Sequence, residues 1–551
     1  MKETFDFVVV GSGGGSLCAA LALRAAGKSV LILEKAALVG GTTATSGGVM
    51  WIPNNRYMKE AGIPDSREQA IAYLDAVVGD RANMPGASRQ RRLAFIDAAP
   101  KMIDFLVSQG IRLRRLPSWP DHYRLPGESV PGRGVVSELF DINRLGDWKT
   151  KLRPGFLPLP ANLDEAMELP NFKRSWAAKR VLFRVIGRAL ADKITGRQRV
   201  TAGRALQAQM LHAALKAGTE IRLNSPVKQI LVEDGRVTGV LTQKDGTDWQ
   251  IGSRLGVLIN AGGFAQNQRM RDQFVPGTST AWSLVPDTDT GEMIEEGLRI
   301  GAAVAQMSER VAYQIALPPA DRPKPATMQG DMSKPHAIVV DQSGVRYIRE
   351  SGPTVDFCKG MLERNKTVPA VPSWLVIDSQ YLNTYMLAGT MSGSKKPQAW
   401  FDSRFLRQAD TLEALASECG MDAAKLQASV ERFNGFVRKG RDEDFQRGET
   451  AYEVSAGDPL HRPSPCLGTL EQGPYFAMQI YPGDVSTFGG LVTDVQARVL
   501  RADGSAIPGL YAAGTSTASV MGPVEAGGGG SIGPTLTWAY LAAHHAIAAI
   551  A

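Results

Sequence analysis

Apolar and polar positions alternate in a way that predicts a nucleotide-fold start. Phe5–Val10, FDFVVV, is a β-rich run. Leu17–Lys28, LCAALALRAAGK, spaces its apolar residues as a helix does, and Ser29–Leu33, SVLIL, is a second strand. Strand, helix and strand in this order make one βαβ unit of a parallel sheet. Val200–Ala217 reads as another helix, and Thr219–Val240 as strand and hairpin turning at Asp234-Gly235. From about residue 286 the pattern loosens into prolines, scattered aromatics and a polar helical stretch, Thr411–Lys439. Lys149–Pro170 reads as an irregular surface excursion. The apolar end, from Leu536, reads as a buried terminal helix, since no apolar run is long enough to cross a bilayer.

The turn after the first strand is Gly11-Ser12-Gly13-Gly14-Gly15-Ser16. The first glycine makes the turn and Gly13 lets a pyrophosphate reach the backbone. The helix then offers its free N–H groups and positive dipole end. Ser16 stands at the small third position. Glu34 ends the second strand, placed for the adenosine ribose hydroxyls, with Lys35 beside it. Gly40-Gly41-Thr42-Thr43-Ala44-Thr45-Ser46-Gly47-Gly48 follows at once. This second cluster resembles the fumarate reductase and succinate dehydrogenase flavoprotein superfamily, and the resemblance implies FAD. It assigns Gly41, Thr42, Thr43, Ser46, Gly47 and Gly48 to the cofactor, Val227 to adenine, and Ala261, Gly262 and Gly263 to the closing loop. Gly514, Thr515, Ser531 and Ile532 fall at the carboxy-terminal end of the same site. The expected fold is α/β: a discontinuous Rossmann-like FAD-binding domain, residues 1–285 and 476–551, with an inserted α+β substrate-capping domain at 286–475. No histidine lies between Glu34 and Arg56, so the FAD is expected to be non-covalent.

Composition narrows the partners. The chain has 551 residues, 44% hydrophobic, enough for a sizeable core. Its net charge of +7 admits nucleic acid, a membrane surface or an anionic ligand. The densest basic block, Lys173–Arg199, holds nine Lys or Arg against Asp192, with Val181, Phe183, Val185, Ile186 and Leu190 interleaved. It reads as one or two amphipathic helices, packed on the body or in peripheral contact with a membrane. No reader motif points to nucleic acid. Cys18, Cys358, Cys419 and Cys466 are scattered, without disulfide or zinc spacing, which suits a reducing compartment. No metal site is expected. A strand pattern begins by residue 5, so no signal peptide fits, and a cytoplasmic enzyme is expected.

The carboxy-terminal half sharpens the resemblance. Tyr481-Pro482-Gly483-Asp484, Thr487–Asp494, GLYAAGTSTASVMG and SIGPTLTWAYLAAHHA are similar to the bacterial 3-ketosteroid Δ1-dehydrogenases. So are GGTTATSGGVMWIP from Gly40 and Trp119-Pro120-Asp121-His122-Tyr123. That resemblance implies a desaturase beside a ring ketone of a steroid-like substrate. A base takes the α-proton, the β-hydrogen leaves as hydride to flavin N5, and a tyrosine with a backbone N–H polarises the carbonyl. The electrons then pass to an acceptor that these motifs do not specify. The polarising tyrosine falls at Glu525 here, and the N–H donor at Gly529. The cap tyrosine that serves as base falls at Thr354, after Ser351-Gly352-Pro353. The third tyrosine matches Tyr123.

Glu525 is therefore the open question. In a dry pocket its carboxyl pKa rises. As a neutral acid it donates to the ketone oxygen beside Gly529, with Tyr123 as the candidate base. As a carboxylate it is the base itself, and in a third reading it is purely structural. His122 and Tyr481 are lesser pocket candidates. The rival activities are a fumarate-reductase-like enoate reductase, for which Arg346 and Arg349 are available as clamps, and a flavoprotein that binds a sterol without turnover.

Overall fold

The computed structural model describes residues 3–79, 84–244, 246–319 and 325–549. Its main sheet is built on parallel pairs. Strand Glu3–Val10 lies between Val30–Leu33 and Thr247–Ile259, and the latter pairs in parallel with Ala506–Ala512. Glu220–Arg222 extends the other edge in parallel. The hairpin Val227–Glu233 and Arg236–Lys244 adds an antiparallel flap. It turns at Asp234 (φ 47°) and Gly235 (φ 75°), the left-handed pair a two-residue hairpin needs.

Helix α1 (Gly14–Ala25) is buried on nearly every face, so it is apolar all round rather than striped. It packs on the sheet and on the carboxy-terminal helix, whose range is Ile532–Ala548. The basic block forms a single helix, α2 (Trp176–Thr195). Helix α3 (Thr354–Arg364) opens the cap's contact with the nucleotide domain, and the carboxy-terminal helix is α4.

The cap is a second, mainly antiparallel sheet with its own core. Its central strand is Tyr475–Thr487, paired with Arg310–Ala316, Ser373–Asp378 and Leu406–Ala409. The chain thus stays in the cap beyond residue 476 and rejoins the nucleotide sheet at Arg498–Leu500 and Ala506–Ala512. At the other boundary, Met293 and Ala302 pack with Ile230, Val237 and Leu510 in the nucleotide core, so the cap sheet begins near Arg310. A run such as Tyr475–Thr487 has the same β pattern whichever sheet it joins, and pairing alone decides its domain.

Candidate active site

One cavity of about 1410 Å³ runs between the two domains. Its nucleotide end is lined by Gly11, Gly13, Gly14, Glu34, Lys35, Gly41, Thr42, Thr43, Ser46, Gly47, Gly48, Val227, Ala261, Gly262, Gly514, Thr515, Ser531 and Ile532. Gly15, Ser16 and Gly263 stand behind that lining. A Cβ on Gly15 would meet the Asn260 side chain at 2.9 Å, and one on Gly263 would meet Thr487 Oγ1 at 2.0 Å. The Ser16 hydroxyl is paired with the Asn260 amide at 2.8 Å. These three serve close packing between helix, strand and loop.

Gly13 is a different case. A Cβ there would meet nothing of the protein nearer than 3.6 Å, so the space it leaves belongs to the cavity. It is the N-cap of α1, with no side-chain cap and no acid in the first turn. An anion is the partner that such a helix end lacks. Glu34 Oε2 accepts from Ser12 N–H at 3.0 Å and Ser12 Oγ at 2.5 Å, and its Oε1 accepts from Ala36 N–H at 2.8 Å. About four acceptor positions belong to a carboxylate, so roughly one remains for a ligand hydroxyl. Asp289 lines the same end without a side-chain donor among the described residues, and burial pushes its pKa up to about 7. Hydroxyls and a pyrophosphate satisfy this set; the residues fit FAD.

The other end is built from side chains on six separate segments. His122, Tyr313, Gln329, Thr354, Tyr452 and Glu525 all line it, together with Gly528 and Gly529. Glu525 makes no side-chain hydrogen bond among the described residues, and burial pushes its pKa up to about 7. Gly529 has φ +93°, and a Cβ there would meet Val49 O at 2.4 Å. Its carbonyl accepts from Trp51 and Gly533, while its N–H makes no hydrogen bond among the described residues.

The loop is held rigidly. His122 N–H donates to Ala526 O at 3.0 Å, and Tyr73 Oη donates to the same oxygen at 2.6 Å. Asp121 accepts from Trp51 Nε1 at 2.8 Å and pairs with Arg133, which also pairs with Asp65. From α3, Lys359 donates to Pro523 O at 3.0 Å. Cap and nucleotide domain thus both fix the turn that carries Glu525.

Tyr123 is not on the cavity wall. Its phenol sits against Asp356, and burial with that carboxylate pushes its pKa far up. Its neighbour His122 faces the site instead. Burial pushes the imidazole down to about 4, opposed by a hydrogen bond to the Glu525 main-chain carbonyl. Its Nδ1 is sealed and without a partner. Thr354 is on the wall, where it offers only a hydroxyl. Tyr481 packs on Trp282 and hydrogen-bonds Gln479, away from the lining. Arg346 is buried against Glu350 and Asp442, and Arg349 binds Phe445 O and Glu453; neither reaches the cavity.

Sequence reasoning missed Tyr313, Gln329 and Tyr452. Tyr313 lies in a strand buried on both faces, so no alternation marks it. Tyr452 sits in a short helix with no glycine motif beside it.

A glycine-cradled dinucleotide end meeting a capped, apolar pocket defines an FAD-dependent flavoprotein. The profile of the family described as FAD binding domain matches residues 6–532, and the chain belongs to that family. It is 36% identical to the 3-oxosteroid 1-dehydrogenase of Mycolicibacterium smegmatis over 98% of this chain and 97% of that protein. It is 33% identical to the 4-oxocyclohexanecarboxylate 2-dehydrogenase of Sinomonas cyclohexanicum, over 98% and 92%. The crystal structure of 3-ketosteroid Δ1-dehydrogenase from Sterolibacterium denitrificans, in complex with 1,4-androstadiene-3,17-dione, superposes with a TM-score of 0.93. It shares 34% identity, over 99% of this chain and 100% of that one. The chain is a member of the 3-oxosteroid 1-dehydrogenase family, an oxidoreductase acting on CH–CH groups with non-covalent FAD.

Proposed function

We propose that the chain introduces a C=C bond beside a ring ketone of a neutral, steroid-like substrate, with Glu525 as the base. The observation that carries this is an unpaired carboxylate on the cavity wall, four residues from a free backbone N–H at Gly529. The alternative role, a neutral donor, needs a separate base. Tyr123 lies off the wall, His122 is pushed to about 4 with its Nδ1 sealed, and Thr354 is only an alcohol. Glu525 near 7 has the value a general base wants. It takes the α-proton, the freed electron pair forms the C=C bond, and Gly529 N–H stabilises charge on the ketone oxygen. Bound FAD supplies the acceptor for the β-hydrogen and its electron pair. Gly11, Gly13, Gly14, Glu34, Thr42, Thr43 and Ser531 are the residues that would hold it.

The charge on the described lining supports a neutral substrate. The cations on the described lining are Lys35, Arg153 and Lys228. Lys35 follows Glu34, Arg153 feels Glu34 and Asp287, and Lys228 follows Val227, so all stand at the nucleotide end. Among the described residues, none faces Glu525 to clamp a carboxylate. This speaks against a dicarboxylate and an oxocyclohexane carboxylate alike. Anaerobic mixing with a 3-ketosteroid should bleach the flavin. Bleaching by fumarate-series or carboxylated substrates alone would reject the reading.

A peripheral membrane contact through residues 173–199 belongs to the same proposal. No helix of the described residues is long and apolar enough to cross a membrane. Yet α2 leaves Trp176 (75%), Phe183 (70%), Leu190 and Ile194 (84%) exposed along one face. A full-turn spacing puts these on one side, with Arg180 and Lys193 exposed beside them. Phe156 and Met167, also exposed, line the cavity edge near the packed helix Leu163–Glu168. An apolar stripe rimmed by cations suits an anionic bilayer. Arg184 and Arg188 are already committed to Glu165, so the informative change is Trp176→Glu with Phe183→Glu. It should abolish sedimentation with phosphatidylserine-containing vesicles at low salt. A wild type that stays in the supernatant rejects the contact.

A further inference from the structure

The functional site holds a proton count that the mechanism has not used. Gln329 stands between two phenols on the cavity wall. Tyr313 Oη donates to Gln329 Oε1 at 2.9 Å, and Gln329 Nε2 donates to the Tyr452 oxygen. One phenol has thus given its proton to the amide, and the other has accepted one. Exactly one phenolic O–H of the pair is left over, and as drawn it belongs to Tyr452. Exchanging the amide oxygen and nitrogen changes which tyrosine holds it, never the number. Among the described residues, that proton makes no hydrogen bond. Both rings line the cavity. A buried hydroxyl proton without an acceptor costs free energy, which a ligand oxygen would recover.

Its place in the cavity is also fixed. The Tyr452 ring packs on His122 with centroids 4.3 Å apart, and His122 N–H donates to the carbonyl of Ala526, the residue after Glu525, at 3.0 Å. The spare O–H therefore belongs to the Glu525 end. Burial pushes both phenols above their ordinary range, and no cation stands among the causes, so both remain protonated donors at neutral pH.

We propose that Tyr452 is a catalytic residue that donates its phenolic proton to the substrate's ketone oxygen alongside Gly529 N–H, with Gln329 and Tyr313 as positioning residues. The proposal rests on the ketone-desaturation reading above. It restores the phenol that Glu525 displaces: the acid has moved onto the glycine turn, and the donor phenol comes from the cap.

The decisive variant is Gln329→Glu. A carboxylate accepts from both phenols, so it consumes the spare proton without removing either ring. Tyr452→Phe removes the same donor directly. Both variants should keep FAD, which checks folding. Two readouts follow: turnover of a 3-ketosteroid, and binding of 1,4-androstadiene-3,17-dione seen as a change in flavin absorbance. We expect both variants to lose roughly 10²–10³-fold in kcat, the usual effect of deleting one oxyanion donor, and to bind the dienedione more weakly. Dienedione binding by Gln329→Glu, a readout that does not need Glu525 ionised, should recover as pH falls through the pKa of its new carboxyl, because the neutral acid donates again to one phenol. Tyr452→Phe should show no such recovery. If both variants turn over and bind like the wild type, the proposal is wrong while the functional reading stands. If they lose activity but Gln329→Glu shows no recovery of dienedione binding at low pH, the tyrosine pair is structural and the donor role fails. A wild type that neither binds the dienedione nor bleaches with ketosteroid overturns the functional reading, and this proposal with it.

Discussion

The two ends of the cavity are made of different material. The nucleotide end is mostly backbone: glycine turns, a helix N-terminus with no acid in its first turn, and one carboxylate already oriented by Ser12 and Ala36. The substrate end is mostly side chains, drawn from residues 122, 313, 329, 354, 452 and 525. A backbone site demands glycines at fixed local spacing, so it leaves a contiguous mark. A side-chain site needs only that distant segments converge, and its members can be exchanged singly. A carboxylate can stand at 525, where the family resemblance places a phenol, without disturbing the turn that holds it.

The hardest test of this contrast falls at Gly13. Gly13→Val should abolish FAD retention, leaving a folded but colourless protein, because the branched side chain enters the space kept for the pyrophosphate. Purified variant that stays yellow would mean that the cradle is not read from the backbone.

That difference also explains what was legible beforehand. Gly11–Ser16, Glu34 and Gly40–Gly48 could be placed from spacing, because each spacing encodes a turn. Glu525 could be singled out because it is a lone carboxylate beside a run of four glycines. Tyr123 was expected on the wall, and its neighbour His122 is there instead. A one-residue choice within a loop depends on which side chain Asp356 draws away, and nothing local encodes that. The Tyr313–Gln329–Tyr452 bridge spans 139 residues of chain, so only the fold reveals it.

Glu525 sharpens the contrast at the substrate end. Glu525→Ala should lower kcat by about 10²–10⁴-fold, the range for a lost general base. Glu525→Gln should be equally impaired, since an amide cannot take the proton. Burial holds the carboxyl near 7, so the ionised fraction grows as pH rises through that value. kcat/KM of the wild type should therefore climb between about pH 6 and 8 and flatten above. An active Glu525→Gln with a rate that falls as pH rises would make Glu525 a neutral donor instead.

The support beneath that end is electrostatic and should fail in a measurable way. Arg133 is buried between Asp65 and Asp121, and it also donates to Gly127 O at 2.8 Å. Arg133→Met leaves two buried carboxylates uncompensated. Breaking a buried pair costs about 3–5 kcal/mol, so the denaturation midpoint should drop clearly. Activity of the folded fraction should fall too, because Asp121 steadies the strand bridge to Gly527. Unchanged stability would show that solvent already reaches this cluster.

The smallest expected effect separates family likeness from actual position. Tyr123 matches a catalytic tyrosine of the relatives by motif, yet its phenol points at Asp356 rather than into the cavity. Tyr123→Phe removes that hydroxyl and keeps the ring that packs against the main core. Its stability should change little or rise slightly, because the hydroxyl is buried without a hydrogen-bond partner among the described residues. kcat should stay within about threefold, because less than roughly 1 kcal/mol of barrier is at stake. The pH profile should keep its rise through about 7, since Glu525 is untouched. His122→Ala is the matching control: it empties the wall beside Tyr452 and removes the ring that packs on that phenol, so it should lower kcat more than Tyr123→Phe does. If instead Tyr123→Phe loses turnover while keeping its stability, the phenol reaches the substrate in the working enzyme. The loop would then have to turn when the ligand binds, and the motif would have been a better guide than the resting structure.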